Sequence, residues 1–298
     1  MKWQGVMPAI TTQIAADGHI DHDFVARHVA WLIDHGCSGI VPCGSLGEGA
    51  TLDPDEKVEL MRTCVEGLRD RAPVVPGIAA TSTRTAVWLC ERAKAVGCKG
   101  LMILPPYVHK GEAHEIRAHF EAMLAATDLP CMLYNNPIAY GADMRPEQIA
   151  ELAERHPNLR AVKESSGDVR RITAIKALCG ERLALFVGLD DLVVEGVAMG
   201  ANGWVAGLVN ALPAESVRLF EFAVAGEHEK AFQLYRWFLP LLRMDTVPEF
   251  VQIIKLVQQE LGHGTELVRA PRMPVSGRAR ETALATIREA LRTRPSLR

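Results

Sequence analysis

Lys163 is the first of three residues in this sequence whose type and setting point to chemistry on a carbonyl or imine carbon. It follows Ala161 and Val162 in an apolar run, so its amine is expected to be buried. Burial disfavours the charged form of an amine and lowers its pKa. A neutral amine can attack a carbonyl or imine carbon and form a Schiff base. The competing interpretation is a surface lysine or a salt-bridged strand end.

The other two residues, Tyr134 and Ser45, also follow apolar runs. Tyr134 could move protons to and from an imine, or it could be an aromatic at a barrel rim with a hydrogen-bonded hydroxyl. Ser45 lies in the glycine-rich segment 44–48 (GSLGE). Glycines let a backbone approach a ligand closely, and the amides of such a turn suit a carboxylate. A tight turn without a ligand is the alternative for that segment.

Eight short apolar runs recur along the chain and are separated by helical patterns. They are continuously apolar, which is typical of strands buried on both faces. The eight predicted strands are residues 5–10, 39–43, 73–77, 100–104, 130–134, 159–164, 184–188 and 203–207. Eight strands alternating with helices predict an α/β fold, a (β/α)8 TIM barrel. A doubly wound sheet is disfavoured because no glycine-rich dinucleotide loop follows the first run.

Helix boundaries support the same alternation. Asp53, Pro54 and Glu56 form the sequence signature of a helix start. Glycines close several predicted helices, at positions 36, 97, 180 and 200. After residue 212 only helical patterns remain, near 213–225, 227–243, 248–261 and 279–293. We therefore predict a catalytic barrel over residues 1–212 and a C-terminal helical extension, packed on it, over 213–298.

Composition excludes several classes of protein. Lys and Arg number 33 against 36 Asp and Glu, a net charge of −3, which disfavours a nucleic-acid partner. No run of about 20 apolar residues predicts a membrane span. The seven cysteines form no CxxC pair, and the histidines show no zinc spacing, so we expect free thiols and no metal site. The first residues (MKWQGVMPAITTQ) lack a signal-peptide core, which predicts a cytoplasmic protein.

Several motifs in fixed order give the sequence a family resemblance. They are GSLGE at 44–48, PPY at 105–107, YNNP at 134–137, KESS at 163–166 and GWVAGLVN at 203–210. Together they resemble the dihydrodipicolinate synthase/N-acetylneuraminate lyase family of class I Schiff-base barrels. The resemblance implies a small-molecule 2-oxo acid or 2-carboxy imine as substrate. It also implies no cofactor beyond the imine itself, and a homotetrameric assembly, a dimer of dimers.

The same resemblance assigns roles to residues. Lys163 forms the Schiff base, Tyr134 is the general acid/base, and Ser45, with the backbone of Leu46, holds the substrate carboxylate and joins the proton relay. Further substrate-binding positions are implied at Gly47, Asn136, Tyr140 and Val205, the last through its backbone carbonyl. Glu48 braces the loop. Asn135 and Asn136 are each open to two interpretations, orienting the substrate or bracing the turn before Pro137.

Departures from the family pattern carry the substrate information. The lysine-biosynthesis synthases have a threonine where this chain has Leu46, and an arginine shortly after YNxP, where this chain has 138–141 (IAYG). Their tyrosine that enters a neighbouring subunit aligns with Val108, although Tyr107 is adjacent. We therefore do not expect dihydrodipicolinate synthase activity, since a site without that arginine binds a dicarboxylic partner poorly.

The detailed pattern is most similar to a deaminase branch of the family, which acts in hydroxyproline degradation. That branch converts Δ1-pyrroline-4-hydroxy-2-carboxylate to 2,5-dioxopentanoate and ammonia. Two alternatives stay open. One is a class I aldolase or dehydratase of 4-hydroxy-2-oxoglutarate or a 2-keto-3-deoxy sugar acid. The other is a non-catalytic barrel that binds a small acid, whose expected signature, the loss of Lys163 or Tyr134, is not seen here.

Overall fold

The computed structural model describes residues 1–297 and contains one curled parallel sheet surrounded by helices. The strands occur in the order β1-β7-β6-β5-β4-β3-β2. Their bounds are β1 Gly5–Pro8, β2 Gly77–Ile78, β3 Leu101–Ile103, β4 Cys131–Asn135, β5 Leu159–Glu164, β6 Ala184–Val187 and β7 Gly203–Ala206. All six strand pairings are parallel, as βαβ connections require.

The barrel closes between β1 and β2 through the segment predicted as the second strand. Val41 bridges Ala9 and Ile40 bridges Val74, both in parallel. Val41 N donates to Pro8 O at 2.8 Å, and Val75 N donates to Ile40 O at 2.8 Å. The segment 39–43 therefore occupies the eighth strand position and closes the barrel by hydrogen bonds to both neighbours. The fold is the predicted (β/α)8 barrel.

Prolines explain why this part of the barrel has bridges in place of regular strands. Pro42, Pro73 and Pro76 lack the N–H that a ladder needs at every second residue. The predicted strand 39–43 is reduced to the bridges at Ile40 and Val41. The predicted strand 73–77 becomes a bridge at Val74 followed by the two-residue β2. Apolar composition alone placed the segments correctly, but not their hydrogen bonding.

Within residues 1–297, twelve α-helices cover the barrel and extend it. The first eight are α1 His22–Asp34, α2 Pro54–Leu68, α3 Thr83–Ala95, α4 Ala113–Ala125, α5 Pro137–Tyr140, α6 Pro146–Arg155, α7 Arg170–Cys179 and α8 Val193–Ala198. The remaining four are α9 Pro213–Val224, α10 His228–Leu242, α11 Phe250–Glu260 and α12 Gly277–Arg292. The short α5 is the one helix of this set that the sequence analysis did not predict.

Local signals at the helix ends act as predicted. Asp53 precedes α2, and its N–H donates to the Glu56 carboxylate at 2.9 Å, which closes a capping box. The glycines that follow α1, α3 and α8, and the one that caps α7, have positive φ, between +57° and +101°. This left-handed conformation costs glycine little, so these positions end helices sharply.

The helices after β7 pack on the barrel. α9 lies against α8 and β1. α12 packs on both α10 and α11, and Ile254, Leu256 and Val257 of α11 are fully buried. The division at residue 212 stays a proposed boundary. Arg298, the last residue of the predicted extension, lies outside the described residues.

The cysteines and the possible metal ligands have the following settings in the fold. All seven cysteines are free thiols, and only Cys179 is not fully buried. Over residues 1–297, no group of three or more His, Cys, Asp or Glu is placed to hold a metal ion. In the same part of the chain, no helix has both the length and the apolar character needed to cross a membrane.

Candidate active site

Lys163 and Tyr134 are direct cross-strand neighbours. The parallel register of β4 and β5 pairs Tyr134 with Lys163, as the predicted strand order requires. The Lys163 amine lies over the Tyr134 ring, with Nζ 4.4 Å from the ring centroid. Both side chains are buried, at 6% and 5% exposure. Among residues 1–297, no oxygen accepts a hydrogen bond from Lys163 Nζ, so the amine is available to a substrate.

The environment of Lys163 favours the neutral amine. Burial lowers the pKa of Lys163 to about 8, although the carboxylates of Asp245 and Asp190 oppose this shift. With a pKa of about 8, roughly a tenth of the amine is neutral at pH 7, against less than a thousandth for an ordinary lysine. The site therefore holds a nucleophilic lysine, the form that Schiff-base chemistry needs.

Gly188 leaves the space that the Lys163 side chain occupies. It follows β6, the other neighbour of β5. A Cβ at this position would lie 2.8 Å from Lys163 Cε and would overlap the Ser165 hydroxyl. Any larger residue at 188 would therefore displace the amine from the barrel mouth.

The Tyr134 phenol is held by Asn136. The Asn136 side-chain amide donates to the Tyr134 hydroxyl at 3.0 Å, and its carbonyl accepts from Ala139 N at 3.0 Å. Asn136 thereby caps the short helix α5 while it orients the phenol. Burial raises the pKa of Tyr134, so the phenol is protonated. Because Asn136 supplies the donor, the phenolic proton is free to be given to a reacting atom.

Asn135 braces the turn and does not reach the cavity. Its amide donates to Asp143 at 3.2 Å and to Glu164 at 3.1 Å, and its carbonyl accepts from Met144 N at 2.9 Å. At 1% exposure, its polar atoms are occupied within the protein. Of the two interpretations left open for Asn135, the structure supports bracing. For Asn136 it supports both bracing and positioning.

Ser45, Tyr107 and Tyr140 bring three more hydroxyl groups to the cavity. Ser45 and Tyr140 share a hydrogen bond between their hydroxyls. The Tyr140 ring meets the Tyr134 ring edge-on at 5.8 Å and the Tyr107 ring at 5.5 Å. The Tyr107 hydroxyl is buried and has no hydrogen-bond partner among the residues that the structure describes, 1–297. Ser45 is therefore linked to Tyr140 and not directly to Tyr134, which differs from a simple Ser45–Tyr134 relay.

The loop that carries Ser45 is fixed by buried charges. Glu48 is fully buried, and its carboxylate accepts from Lys255 Nζ at 2.5 Å and from Arg269 N at 2.9 Å. Lys255 is on α11 and is also fully buried. Glu48 has a left-handed φ of 57°, a strained conformation that these contacts hold in place. Glu48 acts as the brace that the sequence analysis expected.

One cavity of about 550 Å³ opens at the carboxyl end of the barrel. Its lining includes these predicted residues: Ser45, Leu46, Tyr134, Asn136, Tyr140, Lys163 and Val205. Gly47 is not in the lining. Its carbonyl accepts from Thr12 Oγ1 at 2.6 Å, and it packs against the Ile10 carbonyl. Gly47 therefore shapes the loop from behind, although its predicted role was contact with the substrate.

Two charged residues of the cavity were not found by sequence reasoning. Asp245 lies between α10 and α11, and Arg272 lies in the irregular segment between α11 and α12. Neither follows a barrel strand, so the rule that active sites gather at strand ends gave no signal for them. Only the packing of the extension over the barrel brings them into the cavity. Arg272 is partly buried, with its guanidinium 3.9 Å from Glu48.

Asp190 connects the ends of β6 and β7 beneath this site. Its fully buried carboxylate accepts from Trp204 Nε1 at 3.0 Å and from Leu208 N at 2.7 Å. Gly207 N also donates to it. Burial still raises the pKa of Asp190 to about 6. Its donors show a structural role in holding the two strand ends together.

Val108 and Tyr107 have different settings. Val108 is 79% exposed, whereas Tyr107 is half-buried and lines the cavity of its own chain. Entry of Val108 into a neighbouring subunit stays a prediction.

Comparisons with known proteins give matches along nearly the whole chain. The chain matches the model of the dihydrodipicolinate synthetase family over residues 2–290. It is 32% identical over 287 residues to a 4-hydroxy-tetrahydrodipicolinate synthase of Geobacter metallireducens, covering 96% of this chain and 98% of that protein. A synthase with the same name from Methylococcus capsulatus is 34% identical over 288 residues, with the same coverage.

Solved structures show the same architecture. The crystal structure of a dihydrodipicolinate synthase from Bacillus anthracis superposes with a TM-score of 0.92 at 28% identity, over 99% of this chain and all of that one. The 4-hydroxy-tetrahydrodipicolinate synthase of Methylacidiphilum fumariolicum also has a TM-score of 0.92 at 28% identity, over 98% of each chain.

Proposed function

The chain belongs to the dihydrodipicolinate synthetase family, a family of lysine Schiff-base enzymes, and we propose that this member is a deaminase. Its substrate would be Δ1-pyrroline-4-hydroxy-2-carboxylate, and its products 2,5-dioxopentanoate and ammonia. One observation carries the proposal: Lys163 and Tyr134 are cross-strand neighbours inside a small, largely apolar cavity. The amine of Lys163 has a lowered pKa, and the phenol of Tyr134 is oriented by a hydrogen bond.

The first half of the reaction forms and uses the imine. Lys163 adds to C2 of the cyclic imine, and the ring nitrogen leaves as a primary amine, which opens the ring. The lysine imine at C2 makes the C3 protons acidic. Loss of one C3 proton, with Tyr134 relaying protons, gives an enamine. Ser45 and the backbone of Leu46 hold the substrate carboxylate, so C2 stays near the amine.

The second half removes water and ammonia. The enamine expels the C4 hydroxyl as water, and tautomerisation moves the unsaturation to C5, where an imine forms. Hydrolysis at C5 releases ammonia, and hydrolysis at C2 frees Lys163 and the dioxo acid. The residues present, a lysine, proton carriers and a carboxylate anchor, suffice for each step without a metal or an organic cofactor.

The wall of the cavity favours a short substrate. Leu46, Ile138 and Ala139 line it where a long polyol would need hydrogen-bonding groups. Leu46 stands where the synthases have a threonine, which removes one hydroxyl from that wall. A five-carbon substrate with a single hydroxyl satisfies this lining better than a sugar acid does.

The test is ammonia release from freshly generated Δ1-pyrroline-4-hydroxy-2-carboxylate, with the Lys163→Ala variant as control. We expect fast release by the wild type alone, with 2,5-dioxopentanoate as co-product. Borohydride should trap the substrate on the wild type and not on the variant. Absence of ammonia from the wild type would overturn the deaminase assignment. In that case, borohydride trapping that occurs on the wild type and is lost in Lys163→Ala would still identify a Schiff-base enzyme.

Arg272 favours one alternative, a class I aldolase that acts on 4-hydroxy-2-oxoglutarate. The arginine that the synthases carry after YNxP is absent here, but Arg272 brings a cation to the same cavity from the extension. A guanidinium suits a second carboxylate. Pyruvate release from 4-hydroxy-2-oxoglutarate that exceeds ammonia release from the pyrroline, and that falls in Arg272→Leu, would establish this alternative.

Synthase activity and non-catalytic ligand binding can each be distinguished from the deaminase function by an assay. Because the relatives are named as synthases, synthase activity should be assayed as well. We expect this activity to be negligible because of Leu46 and the 138–141 segment. A non-catalytic barrel that binds a small acid would show ligand binding without trapping or turnover.

A further inference from the structure

Asp245 is an acidic residue of the catalytic cavity that the mechanism above does not use. It lies in the turn Arg243–Thr246 between α10 and α11, and it lines the cavity that contains Lys163. A Cβ on Gly207 would overlap the Asp245 carboxylate. The carboxylate therefore lies directly on the backbone that follows β7, within the barrel mouth.

Asp245 and Tyr134 flank Lys163 from opposite sides. Tyr134 is on β4, next to β5, which carries Lys163. Asp245 lies over the residue that follows β7, two strands away on the other side of β5. A substrate bound as an imine on Lys163 would thus have a phenol on one side and a carboxyl group on the other.

The Asp245 carboxyl group has no structural partner. Within residues 1–297, neither of its oxygens accepts a hydrogen bond or lies within 4.0 Å of a cationic nitrogen. Asp190, the nearby buried acid, is satisfied by the indole of Trp204 and two backbone amides. Asp245 is partly exposed and lines the cavity, so its carboxyl group is open to a bound substrate.

We propose that Asp245 is a second catalytic acid, which protonates the C4 hydroxyl of the substrate as that group leaves as water. The proposal rests on the deaminase function and deepens it. Tyr134 then serves the atoms next to the lysine imine, and Asp245 serves the far end of the substrate.

The step balances within the site. The enamine electron pair forms the C3–C4 double bond, the nitrogen lone pair restores the C2 iminium, and the C4–O bond breaks. The proton of Asp245 joins the departing oxygen, and water leaves. The Asp245 carboxylate then accepts a proton from C5 as the unsaturation moves toward the amine, so the acid form returns without any external reagent.

The electrostatic environment agrees with a protonated acid. Burial, with the charge of Asp190, raises the pKa of Asp245 well above its usual range, and Lys163 opposes that shift. Asp191 also raises it, and Tyr134 is the other titratable group that senses Asp245. An aspartic acid that keeps its proton near neutral pH can donate it to a leaving group.

The experiment compares Asp245→Asn with wild type on Δ1-pyrroline-4-hydroxy-2-carboxylate. We expect ammonia release to fall by about 10²–10⁴-fold, the usual range for loss of a general acid. Borohydride trapping of the substrate on Lys163 should persist, which shows that the variant is folded and forms the imine. Asp128→Asn is the control, because Asp128 is an exposed carboxylate that pairs with Lys94 outside the cavity lining. It should keep nearly full activity.

A second substrate separates acid catalysis from a structural role. Fluoride leaves without needing a proton, so the 4-fluoro analogue of the substrate bypasses the proposed acid. We expect the defect of Asp245→Asn to shrink to less than about tenfold with this analogue. A purely structural defect would slow both substrates equally.

The outcomes separate the two proposals. No ammonia from the wild type overturns the deaminase function, and the role of Asp245 with it. Ammonia from both proteins at similar rates overturns only the role of Asp245. Equal defects on the hydroxy and fluoro substrates would also overturn it.

Discussion

At the scale of single residues, the buried amine of Lys163 affects stability as well as reactivity. Its pKa in the folded protein is lowered to about 8, against 10.5 for an ordinary lysine. Between these values the unfolded chain binds more protons than the folded one. The cost of burying the amine is therefore full below pH 8 and disappears as the pH rises through 10.5.

We therefore predict that Lys163→Met is more stable than wild type at pH 7, by about 1–3 kcal/mol. The difference should shrink steadily between pH 8 and pH 10.5. Urea denaturation at pH 7 and pH 9.5 measures it. Lys94→Met, at an exposed ion pair, is the control and should show no such pH dependence. A Lys163→Met variant less stable than wild type at pH 7 would contradict the prediction.

Adjacent asparagines should have separable effects. Asn135 fills three buried hydrogen bonds, so Asn135→Ala should lower the free energy of unfolding by about 2–3 kcal/mol. Asn136→Ala removes the donor that holds the Tyr134 phenol, so it should lower kcat by about 10–100-fold. Its stability loss should be smaller, about 1 kcal/mol for the cap of α5.

Denaturation and steady-state kinetics on both asparagine variants measure these effects together. A variant of Asn135 that loses activity while keeping its stability would show that the bracing interpretation is wrong.

At the scale of elements, the glycine-rich loop depends on a helix distant in sequence. Lys255 on α11 donates to Glu48 in the loop and also to the Leu267 carbonyl. Both charged groups are fully buried, where each compensates the desolvation of the other. The position of Ser45, three residues before Glu48, is thereby fixed from the extension.

Removing one partner of this pair should be more damaging than removing both. We predict that Lys255→Met destabilises the protein by about 3–5 kcal/mol, because it leaves a buried carboxylate without its cation. The double variant Glu48→Gln/Lys255→Met should recover part of that loss. A double-mutant cycle by urea denaturation measures the coupling. Additive effects of the two single changes would rule out direct coupling.

The same pair should affect substrate binding. In Glu48→Gln we expect KM to rise more than kcat falls, since the loop that holds the substrate carboxylate loosens while Lys163 stays in place. Arg62, in an exposed ion pair on α2, offers a matched control as Arg62→Gln, which should change neither parameter.

At the scale of the whole molecule, we propose a cytoplasmic homotetramer of four 32.6 kDa chains. The large apolar side chain of Val108 is 79% exposed on a single chain, beside the cavity residue Tyr107. The alignment of Val108 with the inter-subunit tyrosine of the synthases agrees with this placement.

Val108→Glu should therefore weaken the assembly, because a charge in an apolar contact is costly. Sedimentation velocity is expected to show a tetramer for wild type and smaller species for the variant at micromolar concentration. Val224→Glu, at the exposed end of α9, is the control and should remain tetrameric. A wild-type monomer would overturn the assembly proposal directly.

The sequence by itself determined the barrel and the chemical centre of the site. Apolar runs and helix caps are local signals, and they placed the strands and most helix ends within a few residues. Lys163 and Tyr134 were predictable because adjacent parallel strands put their ends side by side. Local composition did not reveal the bridges at Ile40 and Val41, since proline removes hydrogen-bond donors without changing the apolar pattern.

The rest of the site was decided by tertiary structure alone. Asp245 and Arg272 enter the cavity from connections within the extension, and Lys255 reaches Glu48 across 207 positions of sequence. The sequence also left the roles of Asn135 and Asn136 undecided, because side chains of consecutive residues can face different surroundings. Asn135 makes hydrogen bonds inside the protein, whereas Asn136 lines the cavity. Such contacts depend on how helices pack over the barrel mouth, which no local pattern encodes.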